Sequence, residues 1–320
     1  MTHPYHPTDR RGGTRRAMRG AILAVVATAL IGVAIPRPAS SQQATSEPPR
    51  DSAATVSPGT PSSTPSRSSG HLDPRRQGVL KDLGRGFKEL GSDAWYVVSS
   101  PARLNRRSAR WLGATLAVGG VLYAYDEDLF EASKRNRQEP VYRQIQDVGD
   151  FFEPVGFMGN TNPFYIGAVG IGYAFRIRPL ENIPAEILES HMIAGGLRNL
   201  AKVVIGRRRP NEKLGPRAFE LNGGTSFPSG HSSVMFEVAT VLSHHANRLP
   251  VTVACYAIAG TVALQRVDSG NHWASDVWLS AVSGTLIART VVRRHDERRV
   301  ALVPVVLPDG SPSLGVKFGF

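Results

Sequence analysis

One cysteine, Cys255, occurs in 320 residues, which excludes an intrachain disulfide, a cysteine zinc cluster and a CxxC redox site. Acidic side chains are also scarce: 26 Asp and Glu against 38 Lys and Arg give a net charge of +12. An excess of that size favours anionic partners, among them nucleic acid, a membrane surface or phosphorylated substrates. Aromatic residues are 8% of the chain and nowhere interleave with a basic stretch, so no nucleic-acid partner is expected. Long uncharged apolar runs are missing beyond the N-terminus. "WLGATLAVGGVLYAY" and "LPVTVACYAIAGTVALQ" fall short of the ~20 residues that cross hydrocarbon, and the stretch after Ile183 carries Glu186, Glu189, His191, Arg198 and Lys202. Both a membrane-inserted bundle and a soluble one with one or two embedded helices fit this pattern.

What is present begins with an export signal. Arg10, Arg11, Arg15, Arg16 and Arg19 precede "GAILAVVATALIGVAIP" and the small residues of "RPASSQQA", the layout of a signal peptide over residues 1–41. An uncleaved anchor is the alternative, and Arg15-Arg16 is compatible with twin-arginine export. Cleavage removes six arginines and Asp9, lowering the charge to about +7. The expected location is the cell envelope, membrane-associated, with the functional site facing the periplasm or exterior. Residues 42–74, rich in Ser, Thr, Pro and Gly, have little to bury and read as a disordered linker.

Helical periodicity starts in the next segment, 75–109. Leu80, Leu83, Phe87 and Leu90 recur at helical spacing with Lys81, Arg85 and Lys88 between them, an amphipathic helix that either caps a core or lies on anionic lipid. Six apolar segments follow between 110 and 295: Trp111–Tyr125, Phe164–Phe175, Ile183–Ile205, Ser232–Ala246, Val251–Gln265 and Ala274–Val292. With strand-like alternation scarce, they predict an all-α bundle of about six core helices. Residues 296–320 alternate around Pro308-Asp309-Gly310-Ser311 and predict a short C-terminal β-hairpin packed on the bundle. A lone pair of strands is too few for a barrel.

Three polar clusters break the apolar pattern. In "KVVIGRRRP", Lys202 and Arg209 stand seven residues apart; two helical turns bring both cations to one face before Pro210 ends the helix. In "PSGH", Gly230 permits close backbone approach, and the amides opening the following helix point at an anion. In "QRVDSGNHWASDV", His272 and Asp276 are four apart, so one carboxylate can hold one imidazole nitrogen and leave the other free to attack. Taken singly, these are also a basic helix end, an N-cap and a surface pair. Two helices of similar length joined by "ANRLP" return Arg266 to the level of His231, so the second and third clusters meet. The loop Asn211–Phe227 is long enough to bring the first to the same rim. His191 lacks a ligand-spaced partner and reads as a packed or hydrogen-bonded histidine.

Lys202-x6-Arg209-Pro210, Pro228-Ser229-Gly230-His231 and Arg266-x5-His272-x3-Asp276 together resemble the three-part signature of the type 2 phosphatidic acid phosphatase and vanadium haloperoxidase superfamily, in its lipid phosphatase branch. The resemblance covers roughly residues 110–292 and implies an acid phosphatase/haloperoxidase-like helical fold. It implies that Lys202, Arg209 and Arg266 neutralise a phosphate, that Ser229 and the Gly230 amide contact its equatorial oxygens, and that His272 attacks phosphorus. Asp276 would orient His272, and His231 would protonate the leaving alkoxide and then activate water. The expected substrate is a phosphorylated lipid of the phosphatidic acid or prenyl diphosphate type, hydrolysed with no metal or other cofactor. Alternatives are a soluble phosphomonoester, or a haloperoxidase with vanadate as cofactor in the same site. Gln265 stands where the family usually has Ser.

Overall fold

The computed structural model describes residues 78–306 and 312–318, with side chains through Arg298. The expected signal peptide and the linker lie outside these residues. Nine α-helices are described: α1 (Val79–Val98), α2 (Arg106–Ala124), α3 (Asp126–Asn136), α4 (Pro140–Phe152), α5 (Met158–Phe175), α6 (Arg178–Ile205), α7 (Gly230–Ala246), α8 (Leu249–Asp268) and α9 (Ala274–Arg299). Strands β1 (Val300–Val306) and β2 (Pro312–Phe318) pair antiparallel from Val300↔Phe318 to Val306↔Pro312. Among the described residues the chain divides between Glu89 and Leu90 into two units. The described part of the first is the opening of α1, where Leu80, Leu83 and Phe87 are exposed.

Each of the six expected apolar segments is a helix, and the bundle is all-α in character. Helices α3 and α4 were not expected: α3 is too charged to announce a core, and α4 is a short amphipathic helix without a continuous apolar run. The ends of α3 explain its stability: Asp126, Glu127 and Asp128 occupy its first turn and Lys134 and Arg135 its last, complementing the helix dipole at both poles. Proline opens α4, α6 and α8 near the first helical position, where its missing N–H costs nothing.

The core centres on α7, which is buried on nearly every face. Its Met235, Phe236 and Ala239 pack with Tyr256, Ala259, Val262, Ala263 and Val267 of α8 and with Val277 and Ala281 of α9. On another side Val238 and Val241 meet Ile187 of α6 and Ala288 and Val292 of α9. Leu122 of α2 and Leu129 of α3 close over Trp278 and Val282. Gly284 lets α9 approach α7 closely, since a Cβ there would fall 2.6 Å from the Ser233 carbonyl oxygen. The close fit of α6, α7, α8 and α9 brings the three polar clusters to one end of the bundle.

Candidate active site

Gly206 ends α6 in the left-handed conformation, φ 56°, and donates its N–H to the Lys202 carbonyl. The chain then leaves the helix through Arg207, Arg208 and Arg209, which take three different roles. Arg208 pairs with Glu212 and Glu220 on the outer side. Arg209 donates weakly to Asn271 Oδ1 at 3.3 Å, and its buried Nε has no protein acceptor. Arg207 turns inward and is 2% exposed. Its guanidinium reaches Asp276 Oδ1 at 2.6 Å, Ser275 Oγ at 2.8 Å and Asp126 Oδ2 at 2.7 Å, and the Pro216 carbonyl takes its Nε.

Ser229 caps α7. Its hydroxyl pairs with Ser232 Oγ at 2.9 Å and accepts from the Ser232 N–H, and its own N–H donates to Ser280 Oγ at 2.7 Å. The side chain is fully buried, so the hydroxyl expected to touch a phosphate is engaged in holding the helix start. Gly230 faces open space, with nothing within 4 Å of a built Cβ. Of the N–H groups that a helix start leaves without intrahelical partners, Ser229 takes that of Ser232, and those of Gly230 and His231 favour an anion there.

His231 follows on the same turn. Its Nε2 is 3.0 Å from Glu153 Oε1, and Phe157 stacks on the ring at 6.2 Å between centroids. Gly156 lies beneath it, where a Cβ would come within 2.9 Å of the ring. Burial, then the charge of Arg266, push the imidazole down to about 4, with Glu153 opposing. Arg266 shares that carboxylate, donating from Nη1 to Glu153 Oε1 at 2.6 Å, while its buried Nε has no protein acceptor. Burial and the neighbouring Arg209 and Arg198 lower Lys202 from the usual lysine range. Lys202, Arg209 and Arg266 each depress the basicity of both His231 and His272, so the three cations converge on the two histidines.

His272 is 4% exposed. Its Nδ1 lies 2.5 Å from the Ser226 carbonyl oxygen. A carbonyl only accepts, so Nδ1 carries the proton and Nε2 keeps its lone pair. Burial, with the three cations adding to it, holds the ring well below the ordinary histidine range. The expected direct bond from Asp276 to His272 is replaced by a relay. Asp276 accepts from Arg207 on one oxygen, and from Ser226 Oγ at 2.5 Å and the Trp273 N–H at 3.1 Å on the other. The i,i+4 spacing assumed a helix already formed at His272, but α9 begins at Ala274, and the Trp273 amide claims the carboxylate as a helix cap. Asp276 therefore fixes Ser226, whose carbonyl fixes His272.

The structure thus gathers Lys202, Arg209, Gly230, His231, Arg266 and His272, and sets Ser229 and Asp276 behind them. Gln265 donates to Asp150 Oδ1 at 2.7 Å, tying α8 to α4. His191 donates from Nδ1 to Asn162 at 2.9 Å within the bundle. Glu153, Arg207, Ser226 and Asp126 were not anticipated. Arg207 lies within a quoted motif and Ser226 flanks another, so both had a positional signal; Glu153 and Asp126 lie far upstream and had none.

Residues 184–299 match the family model described as the PAP2 superfamily, the superfamily that the three motifs resemble. A lipid A 1-phosphatase of Porphyromonas gingivalis is 30% identical over 120 residues, covering 37% of this chain and 25% of that protein. The chain thus aligns with about a quarter of the curated relative's length. Among solved structures, Aquifex aeolicus LpxE is 21% identical with a TM-score of 0.38, covering 52% of this chain and 94% of its own. The transmembrane PAP2-type phosphatidylglycerolphosphate phosphatase of Bacillus subtilis is 20% identical with a TM-score of 0.41, covering 58% and 95% respectively.

Proposed function

We propose that this chain, whose residues 184–299 are a PAP2 superfamily segment, is a phosphatase that hydrolyses the phosphate ester or diphosphate of a membrane lipid through a phosphohistidine. The observation that carries the proposal is the state of His272: Nδ1 is tied to the Ser226 carbonyl and Nε2 is left unprotonated at the focus of Lys202, Arg209 and Arg266. A nucleophile buried among three cations is suited to an anionic electrophile. It has no evident use in a protein that only binds anions.

In the first step Nε2 attacks phosphorus and the bond to the leaving oxygen breaks, with His231 supplying that oxygen's proton. The lysine, the two arginines and the amides at the α7 start bear the charge gathering on the equatorial oxygens. In the second step His231 takes a proton from water, the resulting hydroxide attacks phosphorus, and the P–N bond breaks to return neutral His272. The scheme invokes no metal.

Two features favour a lipid substrate. The relative from Porphyromonas gingivalis is named for action on lipid A, and α8 is long and apolar enough to cross a membrane. The test is phosphate release from phosphatidic acid, a lipid A 1-phosphate, a prenyl diphosphate and a soluble aryl phosphate presented to the full-length protein. Turnover is expected on at least one lipid, inhibited competitively by orthovanadate, which adopts the pentacoordinate geometry of the transition state. No release from any of the four would overturn the proposal. Bromide oxidation by the vanadate-loaded protein, without phosphate release, would replace it with the haloperoxidase.

A further inference from the structure

The two histidines of the site are held differently, and the support of His231 comes from outside all three motifs. Glu153 opens a single 3-10 turn, Glu153–Gly156, between α4 and α5. Its Oε1 sits between His231 Nε2 at 3.0 Å and Arg266 Nη1 at 2.6 Å. The same short segment supplies Gly156 beneath the imidazole and Phe157 against its face, so three neighbouring residues fix one ring. Arg266 in turn anchors the carboxylate, which is about one-third exposed, in the orientation that accepts from Nε2.

We infer that Glu153 is a positioning residue for His231: its carboxylate accepts the Nε2 proton, stabilises the imidazolium, and leaves the Nδ1 proton to pass to the departing alkoxide. The inference rests on the phosphatase reading above. The charged groups that face His231 are Glu153 from the 3-10 turn, Lys202 from α6, Arg209 from the following loop and Arg266 from α8. Three of the four repel a proton, and burial repels it further. Glu153 is the opposing charge among them, and an acid that must be protonated in this pocket requires one. The proton balance is simple: His231 gives up Nδ1–H as the P–O bond breaks, becomes neutral with Nε2–H still on Glu153, and recovers Nδ1–H from the attacking water.

The experiment compares wild type, Glu153→Gln and Glu153→Asp on p-nitrophenyl phosphate and on an alkyl phosphate. Nitrophenolate departs without needing a proton, whereas an alkoxide does not. Glu153→Gln is expected to lower kcat for the alkyl ester by about 10- to 100-fold, within the range of general acid catalysis, and for the aryl ester by less than about threefold. Loss of the anion lowers the imidazolium pKa, so the alkaline limb of kcat should move to lower pH by roughly one unit, with Glu153→Asp restoring part of both effects. Equal losses on the two esters with an unmoved alkaline limb would overturn the inference. So would an unchanged alkyl-to-aryl ratio with tighter inhibition by inorganic phosphate, which would make Glu153 a competitor for Arg266 only. If Glu153→Gln fails to fold, the alkaline limb of Glu153→Asp decides in the same sense. A wild-type protein inactive on every ester would instead refute the phosphatase reading itself.

Discussion

Arg207 Nη1 lies 2.6 Å from Asp276 Oδ1 with both side chains out of reach of solvent, and the same guanidinium holds Asp126 at 2.7 Å. One cation balances two buried carboxylates, with Ser275, Ser226 and the Trp273 amide taking remaining lone pairs. The network is the frame on which His272 is aimed.

Truncating Arg207 should therefore damage the fold before it damages chemistry. Arg207→Ala leaves two carboxylates uncompensated and is expected to cost about 3–5 kcal/mol of stability, read as a lower midpoint in chemical denaturation. Arg207→Lys keeps the charge but cannot fork between two acids, and should recover part of that loss while leaving turnover impaired.

His272→Ala is expected to abolish phosphate release while the far-ultraviolet circular dichroism stays that of wild type. Brief exposure to labelled substrate followed by denaturation should trap acid-labile phosphate on the wild-type chain and none on the variant. Normal turnover by the variant would remove His272 from the nucleophile's place.

Acidification should weaken the wild-type fold through His272. Its folded pKa lies below the unfolded value near 6.5, so the unfolded chain binds the proton first and stability contributed by the neutral ring is lost as pH falls below about 6.5. His272→Asn has no such proton to bind. The midpoint of thermal unfolding of wild type is expected to fall relative to that of His272→Asn between pH 7.5 and 5; parallel curves would contradict the burial of a neutral ring.

Membranes from cells expressing the protein, washed with high salt and alkaline carbonate, should retain it. Helix α8 presents Leu249 and Val253 outward over an apolar span, and such a span survives both washes, whereas an electrostatic attachment is screened by salt. Release into the wash would argue for peripheral binding and against α8 as a crossing helix.

Much of this was legible in the residues. The apolar segments gave the six expected helices because each carries a run that must be buried. The polar clusters gave the histidines and cations because those types at those spacings interrupt otherwise apolar helices. Asp276 was legible as a residue but not as a contact: its partner depends on where α9 starts, and that is decided by the competing claim of the Trp273 amide. Ser229 was similarly claimed by a helix cap. Glu153 and Asp126 were illegible because a carboxylate beside a helix end looks like any solvated one until the fold brings its partner to it, 113 residues away at Arg266 in the first case and 149 away at Ser275 in the second.

Those two separations also bear on modularity. The segment that matches the family model, residues 184–299, contains every motif residue yet neither Glu153 nor Asp126, so the matched stretch does not by itself hold the whole charge network. A recombination event or a fusion that moved it alone would carry both histidines and all three site cations while stranding Arg207 with half its counter-charge and His231 with no acid beside it. A segment cut to keep both carboxylates with their partners has to begin before Asp126, far outside the stretch that the family model matches.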